Sequence, residues 1–226
     1  MGRFIPALLG TLAFALPVAT PAAPAWTEGV HYERLAPEQH TSVPAGKIEV
    51  LEVFSYGCIA CNRFQPVLEK LTLSLPPDAQ MAFLPASFNA SEDWPMFQRS
   101  YFAAEALGIA ERTHQAMYDA IWKTGELATS DPATHRLKNP QPSLEDAARF
   151  YARFAGVKPE EFLSTAKSFS VDLKMKVADQ QIAAMSVEIT PSIIVNGKYR
   201  VRMESMRTAE EVIELVNYLV ARERAR

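Results

Sequence analysis

The segment IEVLEVFSYGCIACNRFQPVLEKLTLSLPP, Ile48 to Pro77, constrains the fold more than any other. Ile48 to Phe54 is rich in β-branched and apolar residues and reads as a buried strand. From Cys58 onward, Phe64, Val67, Leu68 and Leu71 recur at helical spacing until Pro76 and Pro77 end the run. Strand, turn with Gly57, then helix is a tight βα unit. Pro66 falls inside the helix and is expected to kink it. The same turn holds the only two cysteines of the 226-residue chain, Cys58 and Cys61.

Around this unit, residues 26 to 46 form an extended lead-in, and QMAFLP, Gln80 to Pro85, is a second strand. Between about Trp94 and Asp179 strand signals vanish. Helical periods cover Phe97–Ala106, His114–Trp122 and Leu144–Phe154, the last with Ser143 as its cap and Gly156 as its stop. A proline-containing loop spans Leu127 to Pro142. Pro159 opens a further helix through Phe162, and another covers roughly Ser170 to Met185. Strand chemistry then returns: Ser192–Asn196, an Asn-Gly turn and Lys198–Met203 predict a hairpin. Thr208 and Glu211 form a capping box at the head of the last helix, whose stripe runs through Val212, Val216, Leu219 and Val220. The plan is β–α–β, a helical block, then β–β–α. With no repeat or long linker, the block reads as inserted into one α/β domain.

Residues 1–25 have the layout of a secretory signal peptide. Arg3 is their single charge, an apolar run covers Phe4 to Val18, and Ala23-Pro24-Ala25 offers a cleavage site. That run is too short for a spanning helix, which needs about 20 residues, and Pro6 and Pro17 interrupt it. The remaining chain of about 200 residues is expected to be soluble, with ample core for one large domain. Its formal charge of −3 for the full sequence and its lack of a basic stripe argue against nucleic acid as a partner.

Export puts the cysteines where disulfides form. A structural staple gains by closing a long loop, and a CxxC pair closes almost none. Zinc normally needs four ligands, and His31, His40, His114 and His135 contain no closely spaced pair to complete a site, so no metal or other cofactor is expected. Redox chemistry fits the placement. Cys58 stands at the start of the helix, where unpaired N–H groups and the helix dipole favour a thiolate, and Cys61 lies one turn deeper. Far along the chain, Thr190-Pro191 precedes the returning strand, a position a proline tolerates. His114, His135 and Trp122 fall on helical stretches and read as packing or surface residues.

VLEVFSYGCIACNRFQPVLEKL together with ITPSIIVNGKYRV resembles the DsbA family of periplasmic thiol:disulfide oxidoreductases, over essentially the whole chain after residue 25. The resemblance implies a thioredoxin fold with an inserted helical domain. On that scheme residues 26–93 and 180–226 form the thioredoxin-like domain and 94–179 the insert. It also implies a nucleophile at Cys58, a buried partner at Cys61 and a cis Pro191 facing them. The expected clients are reduced exported polypeptides in the periplasm of a Gram-negative bacterium. A membrane quinone reductase of the DsbB type is expected to reoxidise a monomer. Glu52 falls on the family's acidic residue beneath the site. Its own position makes sense of this: it shares a strand face with Ile48, Val50 and Phe54, where a desolvated carboxyl with a raised pKa can exchange protons with Cys61. The competing expectation is that this strand end emerges into solvent.

Two departures stand out. Family members typically carry Cys-Pro-His-Cys, whereas Ile59-Ala60 lacks both the turn-setting proline and the imidazole. Cys58 is therefore expected to be less acidic than is usual in the family, and its disulfide less oxidising. Thr190 replaces a usual aliphatic residue, and its hydroxyl is expected to reach a cysteine sulfur, as in related isomerases. Besides an oxidase, the sequence leaves open a weaker DsbA-like reductase or isomerase, or a peptide-binding module working without turnover.

Overall fold

A computed structural model describes residues 1–2, 26–131 and 133–225. Apart from its first two residues, the expected signal peptide lies outside the described residues. In the lead-in, which the sequence pattern marks only as extended, Tyr32–Arg34 forms a short strand, β1. Ile48–Phe54 is β2, buried along its whole length. It feeds α1, Ile59–Ser74, which runs unbroken through Pro66. Ala79–Pro85 is β3. Five helices follow: α2 (Trp94–Ala106), α3 (Ala110–Trp122), α4 (Leu144–Ala155), α5 (Pro159–Ala166) and α6 (Phe169–Ala184). The chain closes with β4 (Ser192–Val195), β5 (Tyr199–Val201) and α7 (Ala209–Arg224).

Among the described residues the strands form one five-stranded sheet, ordered β1-β5-β4-β2-β3. β2 and β3 are parallel because α1 carries the chain back across the sheet between them. The remaining pairs are antiparallel. The β4–β5 turn is set by its residues: Asn196 and Gly197 both have positive φ, 53° and 64°, as a two-residue hairpin turn requires. A Cβ on Gly197 would lie 2.1 Å from the Gln39 carbonyl oxygen, so glycine also admits the lead-in against the turn.

The strands sort their side chains to two faces. Ile48, Val50, Ile193 and Val195 pack with Phe64, Leu68 and Leu71 of α1 and with Val212, Val216 and Leu219 of α7. Leu51, Val53 and Ile194 join a larger cluster contributed mostly by α2 to α6. The helix ends obey their sequence signals. Ser143 and Asp146 form a reciprocal capping box on α4, and Gly156 ends it in a left-handed conformation. Thr208 caps α7 by accepting the Glu211 N–H, but the Glu211 carboxylate takes the Arg207 N–H instead of that of Thr208, so the expected box is half formed. Among the described residues no helix is long and apolar enough to cross a membrane.

Candidate active site

The link from β2 to α1 is a tight turn. The Cys58 N–H donates to the Ser55 carbonyl at 3.1 Å, and the Gly57 N–H donates to the Ser55 hydroxyl at 3.2 Å. The turn delivers Cys58 to the N-cap of α1 in an extended conformation, where its sulfur accepts the Cys61 N–H at 3.3 Å. A side chain at this position replaces one of the bonds that a helix start leaves unmade, and it sits at the positive end of the helix dipole. The Cys61 thiol favours the Cys58 thiolate most. The Thr190 side chain and the N–H groups of Cys61 and Ala60 add to this against the opposing effect of burial, and the Cys58 pKa falls to about 6. Cys61, fully buried one turn on, goes the other way. Desolvation pushes its pKa up, and its bond to Cys58 and the neighbouring charges of Cys58 and Glu52 push it further. The two thiols are thus split into one that ionises readily and one that holds its proton.

Two glutamates of β2 show how environment separates identical groups. Glu49 is buried but accepts from the Ser42 N–H and hydroxyl, at 2.6 and 2.7 Å. Glu52 is completely buried, and neither of its oxygens has a hydrogen-bond partner among the described residues. The expectation that this strand end emerges into solvent is therefore wrong. β3 and β4 flank Glu52, with Phe83 and Ile193 as its register partners, and α1 covers the face it shares with Ile48 and Val50. Burial, followed by the proximity of Cys58, raises its pKa to about 8.

The Thr190–Pro191 peptide is cis, and this loop lies against Cys58. The contact runs through the main chain: the Cys58 thiol donates to the Thr190 carbonyl at 3.4 Å. The Thr190 hydroxyl, expected to bond a sulfur, is buried without a hydrogen-bond partner among the described residues. Its side chain nevertheless favours the Cys58 thiolate. Around the buried sulfurs the surface is apolar, with Ile59 and Ile189 both exposed.

His114 and Trp122, expected only as packing or surface residues, frame this turn together with Tyr118 and Trp94. His114, half-buried on α3, bonds the Tyr56 hydroxyl through Nδ1 at 3.0 Å, and its Nε2 is buried with no partner among the described residues. Burial lowers its pKa to about 4, which leaves the imidazole neutral. Trp122 donates its indole N–H to the Tyr56 carbonyl at 2.9 Å, and the Tyr118 hydroxyl reaches the Ser55 carbonyl at 3.5 Å. Trp94 of α2 lies against Gly57 so closely that a Cβ there would come within 2.5 Å of its indole nitrogen. His135, expected on a helix, sits in the α3–α4 loop with φ of 55°. Among the described residues no three His, Cys, Asp or Glu side chains gather into a group that could hold a metal ion.

An acidic thiol at a helix head, a protected thiol one turn below and a cis-proline loop across from them are the working parts of thioredoxin-fold dithiol proteins. Comparison with known proteins narrows that class. No protein-family model matches the chain. The thiol:disulfide interchange protein DsbA of Pseudomonas aeruginosa is 34% identical over 200 residues, covering 88% of this chain and 87% of that protein. The DsbA of Azotobacter vinelandii is 32% identical over 221 residues, 96% and 95% of the two chains. Among solved structures, the oxidoreductase DsbA from Xylella fastidiosa superposes with a TM-score of 0.76 at 32% identity, over 90% of this chain and all of that one. The chain belongs to the DsbA family of thiol:disulfide oxidoreductases, and its architecture is a thioredoxin fold with an inserted helical domain.

Proposed function

We propose that Cys58 and Cys61 cycle between disulfide and dithiol and, in the disulfide state, oxidise reduced polypeptides exported to the periplasm. The observation that carries this reading is the placement of the two thiols: Cys58 caps α1 and accepts the Cys61 N–H, while Cys61 is fully buried one turn on, which lowers the pKa of the first and raises that of the second. A client thiolate attacks the Cys58 sulfur, the Cys58–Cys61 bond breaks, and its electron pair goes to Cys61. Glu52, protonated below about pH 8, supplies a proton to the departing Cys61 sulfur. A second client thiolate then attacks the client sulfur of the mixed disulfide and expels Cys58 as a thiolate. Its low pKa makes it a good leaving group and drives release. The client loses two electrons and two protons; the protein gains the electrons as a Cys58 thiolate and a Cys61 thiol, one proton restores Glu52 and the other passes to solvent. A membrane quinone reductase of the DsbB type takes the electrons back and passes them to quinone.

On this reading Pro191 and Thr190 present the extended client chain to Cys58, with the exposed Ile59 and Ile189 favouring apolar client segments. Residues 26–93 and 180–226 form the thioredoxin-like domain, and 94–179 the helical insert. A signal peptide at 1–25 directs export, no cofactor beyond the cysteine pair takes part, and the working unit is a monomer. Ile59-Ala60 and Thr190 support a second reading, a weaker oxidant with reductase or isomerase activity. Three assays separate these. Oxidised protein should restore activity to reduced, unfolded ribonuclease, and Cys58→Ser should abolish this. Repair of scrambled ribonuclease marks an isomerase. A benefit to folding that survives Cys58→Ser leaves only a peptide-binding module.

A further inference from the structure

His114, Tyr118 and Trp122 lie four residues apart along one face of α3, and all three bond to two consecutive residues, Ser55 and Tyr56. Those residues open the turn that ends at Cys58. The Ser55 carbonyl accepts from both the Tyr118 hydroxyl and the Cys58 N–H, at 3.5 and 3.1 Å. The Tyr56 carbonyl takes the Trp122 N–H, and the Tyr56 hydroxyl is tied to His114. Tyr56 and Tyr118 are fully buried, so no water is at hand to replace a bond that is lost. The rings pack as well. Phe54 meets Tyr56 and His114 edge-on at centroid distances of 5.2 and 5.1 Å, and Tyr56 meets Tyr118 at 5.1 Å. Trp94 blocks movement of Gly57 in its direction.

We infer that this stripe on α3 is a positioning device: it fixes the Ser55–Cys58 turn and thereby sets how well the Cys58 sulfur meets the Cys61 N–H and the Thr190 loop. The 3.3 Å bond from the Cys61 N–H is one of those that favour the thiolate, and such bonds weaken steeply with misalignment. A turn released from α3 keeps its cysteine but loses that alignment. The helical insert therefore contributes to the acidity of a thiol carried by the thioredoxin-like part. None of the three residues is catalytic, because each acts through Ser55 or Tyr56.

The inference rests on Cys58 being the exchanging thiol, which loss of exchange in Cys58→Ser tests separately. The test here is the pH profile of thiolate absorbance in the reduced full chain, a property of the thiol whether or not any client is oxidised. Tyr118→Phe removes one oxygen and Trp122→Phe removes one N–H donor. Each should raise the Cys58 midpoint by about half a unit, and the double variant by about one unit, which lowers the thiolate fraction about tenfold at pH values well below the midpoint. Gln115→Ala, on the exposed side of α3, should leave the midpoint in place. A folded double variant that titrates within about 0.2 unit of the parent overturns the inference, even if its melting temperature has dropped, because packing alone then explains the stripe. Should the double variant fail to fold, Tyr118→Phe decides by the same criterion.

Discussion

At the scale of single residues, Glu52 controls a measurable slope. Its carboxyl titrates near 4.5 when exposed and near 8 in the folded protein. The folded state therefore keeps a proton that the unfolded chain has released, and Glu52 costs stability progressively as pH rises from 4.5 to 8. Glu52→Gln should stabilise the reduced protein by on the order of 2 to 3 kcal/mol at pH 8 and by little below pH 4. Chemical denaturation of both proteins at the two pH values measures it, and a constant difference across pH would show that Glu52 does not hold its proton. Cys58 acts with the opposite sign. Its folded pKa of about 6 lies below its ordinary 9, so it contributes stability that is complete above pH 9 and lost as pH falls to 6. Comparing variant with parent at each pH isolates the glutamate from this. The missing imidazole is tested by Ala60→His, which should lower the Cys58 midpoint further, by about one unit. An unchanged midpoint means that position has no bearing on the thiolate.

At the scale of elements, helix ends and turns were legible because their causes are local. Ser143, Gly156, Thr208 and the Asn196-Gly197 turn each satisfy bonds within a few residues, and the sequence pattern names them directly. Ser143→Ala deletes the side-chain half of the α4 capping box, leaving the residue 143 N–H on Asp146, and should cost about 1 kcal/mol, read as a lower unfolding midpoint with exchange activity retained. No change in the midpoint would mean the box is redundant. β1 was illegible for the opposite reason. Three residues carry no periodicity, and they form a strand only because β5 offers its edge at Tyr32–Val201 and its neighbours. The stripe on α3 escaped notice similarly. Residues spaced by four on a helix read as an ordinary packed face, and only the arrival of the β2–α1 turn shows that their polar atoms have partners. Glu52 was half legible: strand alternation gave its neighbours, but the cover over it comes from α1. For Thr190, the family resemblance implied proximity to Cys58 but not which of its atoms makes the contact.

At the scale of the whole molecule, the insert and the thioredoxin-like part share one aromatic cluster, which joins Phe54, Tyr56 and Phe83 to Tyr101, His114 and Tyr118. His114 makes that junction acid-sensitive. Its folded pKa of about 4 lies below the ordinary 6.5, so the unfolded chain takes up the proton first and stability falls as pH drops from 6.5 to 4. His114→Phe should flatten the loss over that window in a thermal series, whereas an identical slope would place the acid sensitivity elsewhere. As a redox couple, the molecule holds a stabilised Cys58 thiolate that should make its disulfide an oxidant despite Ile59-Ala60. Equilibration of the purified chain against glutathione buffers, with the dithiol fraction read by alkylation, tests it most directly. The reduction potential should lie above about −200 mV; a value near the roughly −270 mV of a reducing thioredoxin would mean that the Cys58 thiolate is not stabilised enough to make an oxidant.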